Sequence, residues 1–323
     1  MIPAAQTHTC GTPGYRGCGS SGDFVGMGLR ELTPWYLRMA AKVVLSRIPV
    51  SYQAWRALRL FAHGDMAKSA YAYGVFRQHF DASAFPRKAG GFVALEIGPG
   101  DSLLSTVIAA AFGASKCYLV DTGNYAITRV APYREVVRLL SSYGLAPPDL
   151  AGAQDLGDIL RRCNATYLIE GLASLRELPS HSIDFAWSHA VLEHIRHREF
   201  AAGVHELRRV LVPDGCVSHQ VDLKDHLGGG LNNLRFPSRW WEAEWLAHSG
   251  FYTNRLRFSE MMRVFAAEGF SVESLVTGRF ESLPLPRASL AREFRNLSHE
   301  DLMVSDFHAV LRAPGSSANG VAT

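Results

Sequence analysis

The chain has 323 residues, 47% of them apolar and 20% charged, the balance of a soluble globular protein able to bury a sizeable core. A net charge of +3 is too small for the concentrated basic face of a nucleic-acid binder. No apolar run reaches the ~20 residues of a membrane-spanning helix.

The first thirty residues are rich in Gly, Ser and Thr, lack a signal-peptide pattern, and are expected to form a disordered leader over 1–30. Residues 31–88 read as a helical cap of about three helices, broken at Pro49 and at His63-Gly64-Asp65. The stretch 35–48 carries Arg38, Lys42 and Arg47 among apolar residues; any membrane contact is expected to be peripheral and to run through it. From residue 89 the pattern changes. Short β-rich runs, "FVALEI" (92–97), "CYLVD" (117–121), "TYLIE" (166–170), "IDFAWS" (183–188) and "CVSHQVDL" (216–223), alternate with helical stretches. That alternation predicts an α/β fold, a Rossmann-like doubly wound and mainly parallel sheet with helices on both faces. Asp101 is placed to cap the helix after the first strand and Gly113 to end it. A lid or acceptor insertion is expected at 223–258. Strand candidates "SVESLVTG" and "SDFHAVLR" close a domain spanning 89–313, and 314–323 read as a frayed tail. Five scattered cysteines without a CxxC pair fit a reducing cytoplasm and argue against a disulfide framework or a zinc-cysteine site.

The informative turn is "EIGPGD" (96–101). A strand ending in Gly-x-Gly lets a ligand approach the backbone, because no Cβ intervenes. Asp121 ends the second strand, 23 residues beyond Gly98, where a doubly wound sheet brings its carboxylate beside the glycine turn to accept from a ribose diol. A phosphate-binding GxxxxGK[ST] is absent, and Leu103 stands where a dinucleotide fingerprint has its third glycine.

These motifs together resemble the class I S-adenosylmethionine (SAM)-dependent methyltransferases. "ALEIGPGD" is similar to their first motif and "YLVD" to their second strand. "ELPSHSIDFAWSHAVLEHI" (177–195) is similar to the fourth strand and the helix after it. "ELRRVLVPDG" (206–215) is similar to the turn before strand five, with Asp214 where glycine is commoner. The resemblance covers about 90–280. It implies SAM as cofactor, with Gly98 and Gly100 lining the methionine part, Glu96 orienting its ammonium through water, and Asp121 on the ribose. It also implies Ser174 and Leu175 flanking adenine, and Ser188 and His189 nearest the sulfonium. The flanks resemble bacterial methyltransferases of unassigned substrate.

Methyl transfer to a hydroxyl needs alignment and removal of a proton. His189, directly after strand four, is a base candidate, although packing beside the cofactor explains it equally well. Asp222, Asp225 and His226 cluster after strand five, where two carboxylates and an imidazole suit a metal or a hydroxyl acceptor, or a plain loop start. His189, Asp222 and His226 are the catalytic candidates. Glu193-His194 resembles part of a metal-binding Glu-x-x-Glu-His run found in some methyltransferases, but Ala190 replaces its first ligand, so no metal site is expected. In the insertion, Trp240, Trp241 and Trp245 are expected to form a small core, with Tyr252, Asn254 and Arg255 meeting the acceptor. The expected reaction is O-methylation of a small molecule or glycan. Its rivals are a nicotinamide-dependent oxidoreductase, which lacks its third glycine and catalytic pair here, and a SAM-fold protein that binds without turnover.

Overall fold

The computed structural model describes residues 34–45, 47, 66–85 and 90–315. The expected leader, the middle of the helical cap and the tail beyond 315 lie outside them. Helices α1 (Trp35–Leu45) and α2 (Ser69–Ala82) precede strand β1 (Phe92–Ile97). There follow α3 (Leu104–Ala111), β2 (Ala114–Val120), α4 (Ala131–Ser142), α5 (Leu156–Arg162), β3 (Ala165–Leu168), α6 (Leu172–Glu177) and β4 (Ile183–His189). The chain continues through α7 (His197–Val210), β5 (Leu211–Asp222), α8 (Phe258–Ala267), β6 (Ser271–Arg279) and β7 (Val304–Arg312). Each expected strand is present.

The strands form one seven-stranded sheet in the order β3-β2-β1-β4-β5-β7-β6. The first five run parallel, and β7 pairs antiparallel with both β5 and β6. The order reverses between β1 and β4, which puts the ligand-binding crevice of an open α/β sheet at their carboxyl ends.

Alternation along the strands divides the core into two faces. On one, Phe92, Ala94, Phe185 and Trp187 pack with Phe76 and Phe80 of α2 and with Leu104, Val107 and Ile108 of α3. Phe76 meets the Trp187 ring edge-on at 5.1 Å, so α2 is built into the central core instead of standing apart as a cap. On the other face, Leu95, Ala186, Val217 and Phe307 pack with Phe200 and Leu207 of α7 and Met261 and Phe265 of α8.

One local expectation changes. Helix α3 begins at Leu104, and it is Ser102 whose hydroxyl accepts from the Leu104 amide at 3.2 Å; Asp101 is buried before the helix and its carbonyl accepts from Ile127. Gly113 does end the helix, at φ +97°. Asp214, where the resemblance favours glycine, adopts φ +60°, the left-handed conformation glycine holds without strain.

The segment after β5 is compact. Leu227, Trp241, Leu246, Phe251 and Tyr252 form a small core against Trp35, Met39 and Val43 of α1. Of the three tryptophans expected inside, only Trp241 is buried; Trp240 and Trp245 are about half exposed, at 54% and 52%. Among the described residues no helix is long and apolar enough to cross a membrane.

Candidate functional site

The site is built where β1, β2 and β4 end side by side. Ile97 pairs with Val120 on one side and with Ser188 on the other, so Gly98, Asp121 and His189 lie level across three strands. The chain leaves β1 with Gly98 at φ +71° and Gly100 at φ +66°. Gly98 donates to the Val120 carbonyl at 2.8 Å, which holds the turn against the end of β2. The Asp121 carboxylate completes the cradle. One oxygen accepts from the Gly100 amide at 2.9 Å and the other from the Thr122 amide at 2.7 Å. A carboxylate oxygen can accept more than one hydrogen bond, the chemistry a diol requires.

Glu96 is 3% exposed and lies on the α2–α3 face of β1. It accepts from the Ser105 hydroxyl of α3 and, at 3.2 Å, from the indole of Trp187, its register partner on β4. Burial pushes its carboxyl up to about 7, against the two hydrogen bonds that pull it down. Because the folded value is raised, the protonated form stabilises the native state. That contribution is present below the unfolded value near 4.5 and is lost as pH rises through about 7. The resemblance puts the cofactor's ammonium beside Glu96; a cation bound there would select the ionised form and release a proton. S-adenosylhomocysteine (SAH) affinity is therefore expected to rise about tenfold between pH 6 and 8 and then flatten, while Glu96→Gln flattens the whole profile. Calorimetry in buffers of different ionisation enthalpy reads both the affinity and the proton release; an unchanged slope in Glu96→Gln would sink the assignment.

A groove of about 520 Å³ opens beside the cradle, lined by Thr122, Glu170, Gly171, Leu172, Arg176 and Arg198 among others. Gly171 donates to the Asp121 carbonyl at 2.8 Å, which ties the groove to the end of β2. The resemblance places Ser174 and Leu175 here. Both are buried, and the Ser174 hydroxyl accepts from the Glu170 amide, so it shapes the turn from beneath while Glu170 and Leu172 line the opening. Those two have no local signature; only the position of the β3–α6 turn identifies them.

Ser188 and His189 point to opposite faces. Ser188 is fully buried and its hydroxyl lies 2.8 Å from Nδ1 of His219, leaving only its backbone toward the crevice. His189 points toward α2, half-buried, with Nδ1 3.2 Å from Nε2 of His79. Burial, helped by His308, pushes its imidazole down to about 4, so it is neutral at physiological pH. The next residue, Ala190, adopts φ +54°, a strained reversal that brings Val191 over Gly98.

The other catalytic candidates are held differently. Asp222 accepts from the Lys224 amide and pairs with its ammonium at 3.1 Å; that ammonium also reaches Asp306 at 3.4 Å. His226 stacks on His194 with centroids 5.0 Å apart. Asp225, 3% exposed, spends its carboxylate on the amides of Leu227 and Gly228 and organises the loop. Neither Asp222 nor His226 is brought beside His189: Gln220 is its partner on β5, two residues short of Asp222. Glu193 is buried, pushed up to about 8 by desolvation, and accepts from the Asp222 amide. Among the described residues no group of three or more His, Cys, Asp or Glu is arranged to hold a metal ion.

The three expected acceptor contacts are scaffold instead. The Tyr252 hydroxyl donates to Glu242 and accepts from the His197 amide. The Asn254 amide donates to the carbonyls of Leu192 and Ile195, fastening the insertion to the turn after β4. Arg255 donates to the Phe236 carbonyl and the Ser238 hydroxyl. All three are at most 5% exposed, and the hydrogen bonds they make are to the chain itself; among the described residues the Arg255 Nε has no partner.

Residues 95–218 match the family described as a methyltransferase domain. No curated protein matches the chain at a significant level. Solved structures similar to it include a SAM-dependent methyltransferase from Methanosarcina mazei, 15% identical, covering 71% of this chain and 95% of that one with a TM-score of 0.43. A SAM-dependent methyltransferase from Mesorhizobium loti is 16% identical over 74% of this chain and 96% of that one, with a TM-score of 0.40. A phosphoethanolamine N-methyltransferase from Haemonchus contortus, solved with SAH, is 14% identical over 76% of this chain and 57% of that one, with a TM-score of 0.41. Residues 95–218 form a class I SAM-dependent methyltransferase domain.

Proposed function

We propose that this methyltransferase methylates a hydroxyl oxygen of a small molecule or glycan, with His189 as the group that receives the hydroxyl proton. The observation that carries the reading is the level placement of His189 beside the Gly98 turn and Asp121, with its imidazole neutral and half-buried.

The residues at the crevice fit SAM. Two left-handed glycines and a carboxylate form the cradle, and the groove beside it has room for a nucleoside. Gly98 and Gly100 would hold the methionyl part, Glu96 the ammonium, Asp121 the ribose diol, and the groove of Thr122, Glu170 and Leu172 the adenine. SAM supplies a methyl group on a sulfonium, an electrophile that needs no further activation by the protein. The chain itself must supply positioning, exclusion of water and a destination for the proton. An imidazole already neutral at pH 7 has its lone pair available, and His189 Nδ1 is occupied by His79, which leaves Nε2 for the acceptor.

The acceptor class is tested with methyl-labelled SAM and a panel of sugars and small alcohols, phenols, amines and thiols. Label on oxygen in the wild type, with turnover falling at least about 100-fold in His189→Gln while SAH affinity holds within twofold, is the expected result. Label on nitrogen or sulfur would remove the hydroxyl reading, full turnover in the variant would remove His189 as the base, and either would leave the methyltransferase itself untouched.

A further inference from the structure

Four polar side chains gather on the α2 face of the sheet, where the neighbours are otherwise aromatic. His189 comes from β4, Ser218 from β5, His308 from β7 and His79 from α2. In the sheet, His189 pairs with Gln220 and Gln220 with His308, so one row crosses three strands. His79, fully buried, lies above it. Its Nε2 is 3.2 Å from Nδ1 of His189, and its Nδ1 is 2.8 Å from the Ser218 hydroxyl. That hydroxyl is 2.7 Å from Nε2 of His308, which is half-buried. The result is one unbroken chain of hydrogen bonds that runs along one face of the sheet from His189 on β4 to His308 on β7. Tyr71 of α2 meets the His189 ring edge-on, and His219 and Ser188 form a separate pair on the opposite face.

Such a chain has two directions, because a neutral imidazole donates from one nitrogen and accepts at the other, and a hydroxyl has one proton. In the first, His308 donates to Ser218, Ser218 to His79 and His79 to His189, which leaves the proton of His189 on Nε2. In the second, His189 donates from Nδ1 to His79, His79 from Nδ1 to Ser218, and Ser218 to Nε2 of His308. Only the second leaves a lone pair on His189 Nε2.

We propose that His79, Ser218 and His308 form a proton relay that holds His189 in its Nδ1–H tautomer and takes up the acceptor's proton while the methyl group is transferred. The inference rests on His189 being the receiving base. The balance is complete. The acceptor oxygen bonds to the methyl carbon as the carbon–sulfur bond breaks with its electrons on sulfur, and the hydroxyl proton passes to His189 Nε2. The Nδ1 proton of His189 passes to His79 Nε2, that of His79 Nδ1 to the Ser218 oxygen, and the hydroxyl proton of Ser218 to His308 Nε2. His308 then releases its Nδ1 proton to water. After the product leaves, the reverse shift resets the chain, with a proton taken from water at His308 and one released at His189. The relay explains why a base so buried is workable. A positive charge resting on His189 or His79 is disfavoured by desolvation, and handing the proton on leaves no charge inside. His79 and Ser218 are positioning residues in this scheme, since they act through His189.

The test is nitrogen NMR on the full chain with ¹⁵N-labelled histidine rings, at about pH 7.5, with SAH calorimetry on the same samples. In the wild type, Nδ1 of His79, His189 and His308 is expected to carry the proton. In Ser218→Ala nothing accepts from His79 Nδ1, so its proton moves to Nε2 and the tautomer of His189, not adjacent to the mutation, reverses. Ser218→Thr returns the hydroxyl and is expected to restore the wild-type order. A wild-type His189 with its proton on Nε2, an unmoved His189 in Ser218→Ala, or a reversal in Ser218→Thr as well would each overturn the relay. If SAH binds and the order fails, only the relay falls; if the order holds and SAH does not bind, the cofactor assignment falls instead.

Discussion

Asp121→Ala is expected to weaken SAH binding by about 100-fold in calorimetric titration, with NADH giving no heat on either protein. Two consequences of the substitution combine. The carboxylate is the ribose acceptor in the proposed pose, and hydrogen bonds to a charged group contribute roughly 1.5–3 kcal/mol each. It also holds the amides of Gly100 and Thr122, so its loss loosens the turn that the methionyl end rests on. Asp121→Asn keeps one accepting oxygen and should fall between the two. The melting temperature of Asp121→Ala should change little, because the residue lies at the crevice and not in either apolar core. Equal affinity in wild type and Ala variant would remove Asp121 from the ribose. Heat from NADH would contradict SAM as the ligand of the cradle.

The fold was legible because its signals are local and repeated. Short β-rich runs separated by helical stretches fix the parallel part of the sheet, and the glycine turn marks its ligand-binding end. The two left-handed glycines and Asp121 were legible for the same reason: each depends on the end of one strand. The features that escaped are set by contacts distant in sequence. Nothing in "FRQHF" tells that His79 reaches His189, 110 residues on, or that Ser218 and His308 continue the chain. Tyr252, Asn254 and Arg255 carry the right chemistry for an acceptor, but burial turns it to contacts within the chain. Asp222 has the chemistry of a base, yet Lys224, two residues away, holds it. Residue type announces what a side chain is able to do, and packing decides whether it is available.

Consider finally Gly98, where φ is +71° and a Cβ would lie 2.5 Å from Cγ2 and 2.7 Å from Cγ1 of Val191. Both valine methyls face the missing Cβ, so rotating the side chain exchanges one clash for another. Gly98→Ala must therefore accept the left-handed strain, about 1–2 kcal/mol, and displace the Val191 turn, about 1–3 kcal/mol more. The expected result is a clear fall in melting temperature together with loss of measurable SAH binding, since that turn comes directly after His189. In Gly98→Ala/Val191→Ala the steric part is relieved, and stability and SAH affinity should recover in parallel, leaving only the backbone strain. The coupling energy of this double-mutant cycle measures how far glycine is required by the protein's own turn. Recovery of stability without recovery of affinity would show that the ligand itself needs the space, and the account of Val191 as the reason for glycine would fail.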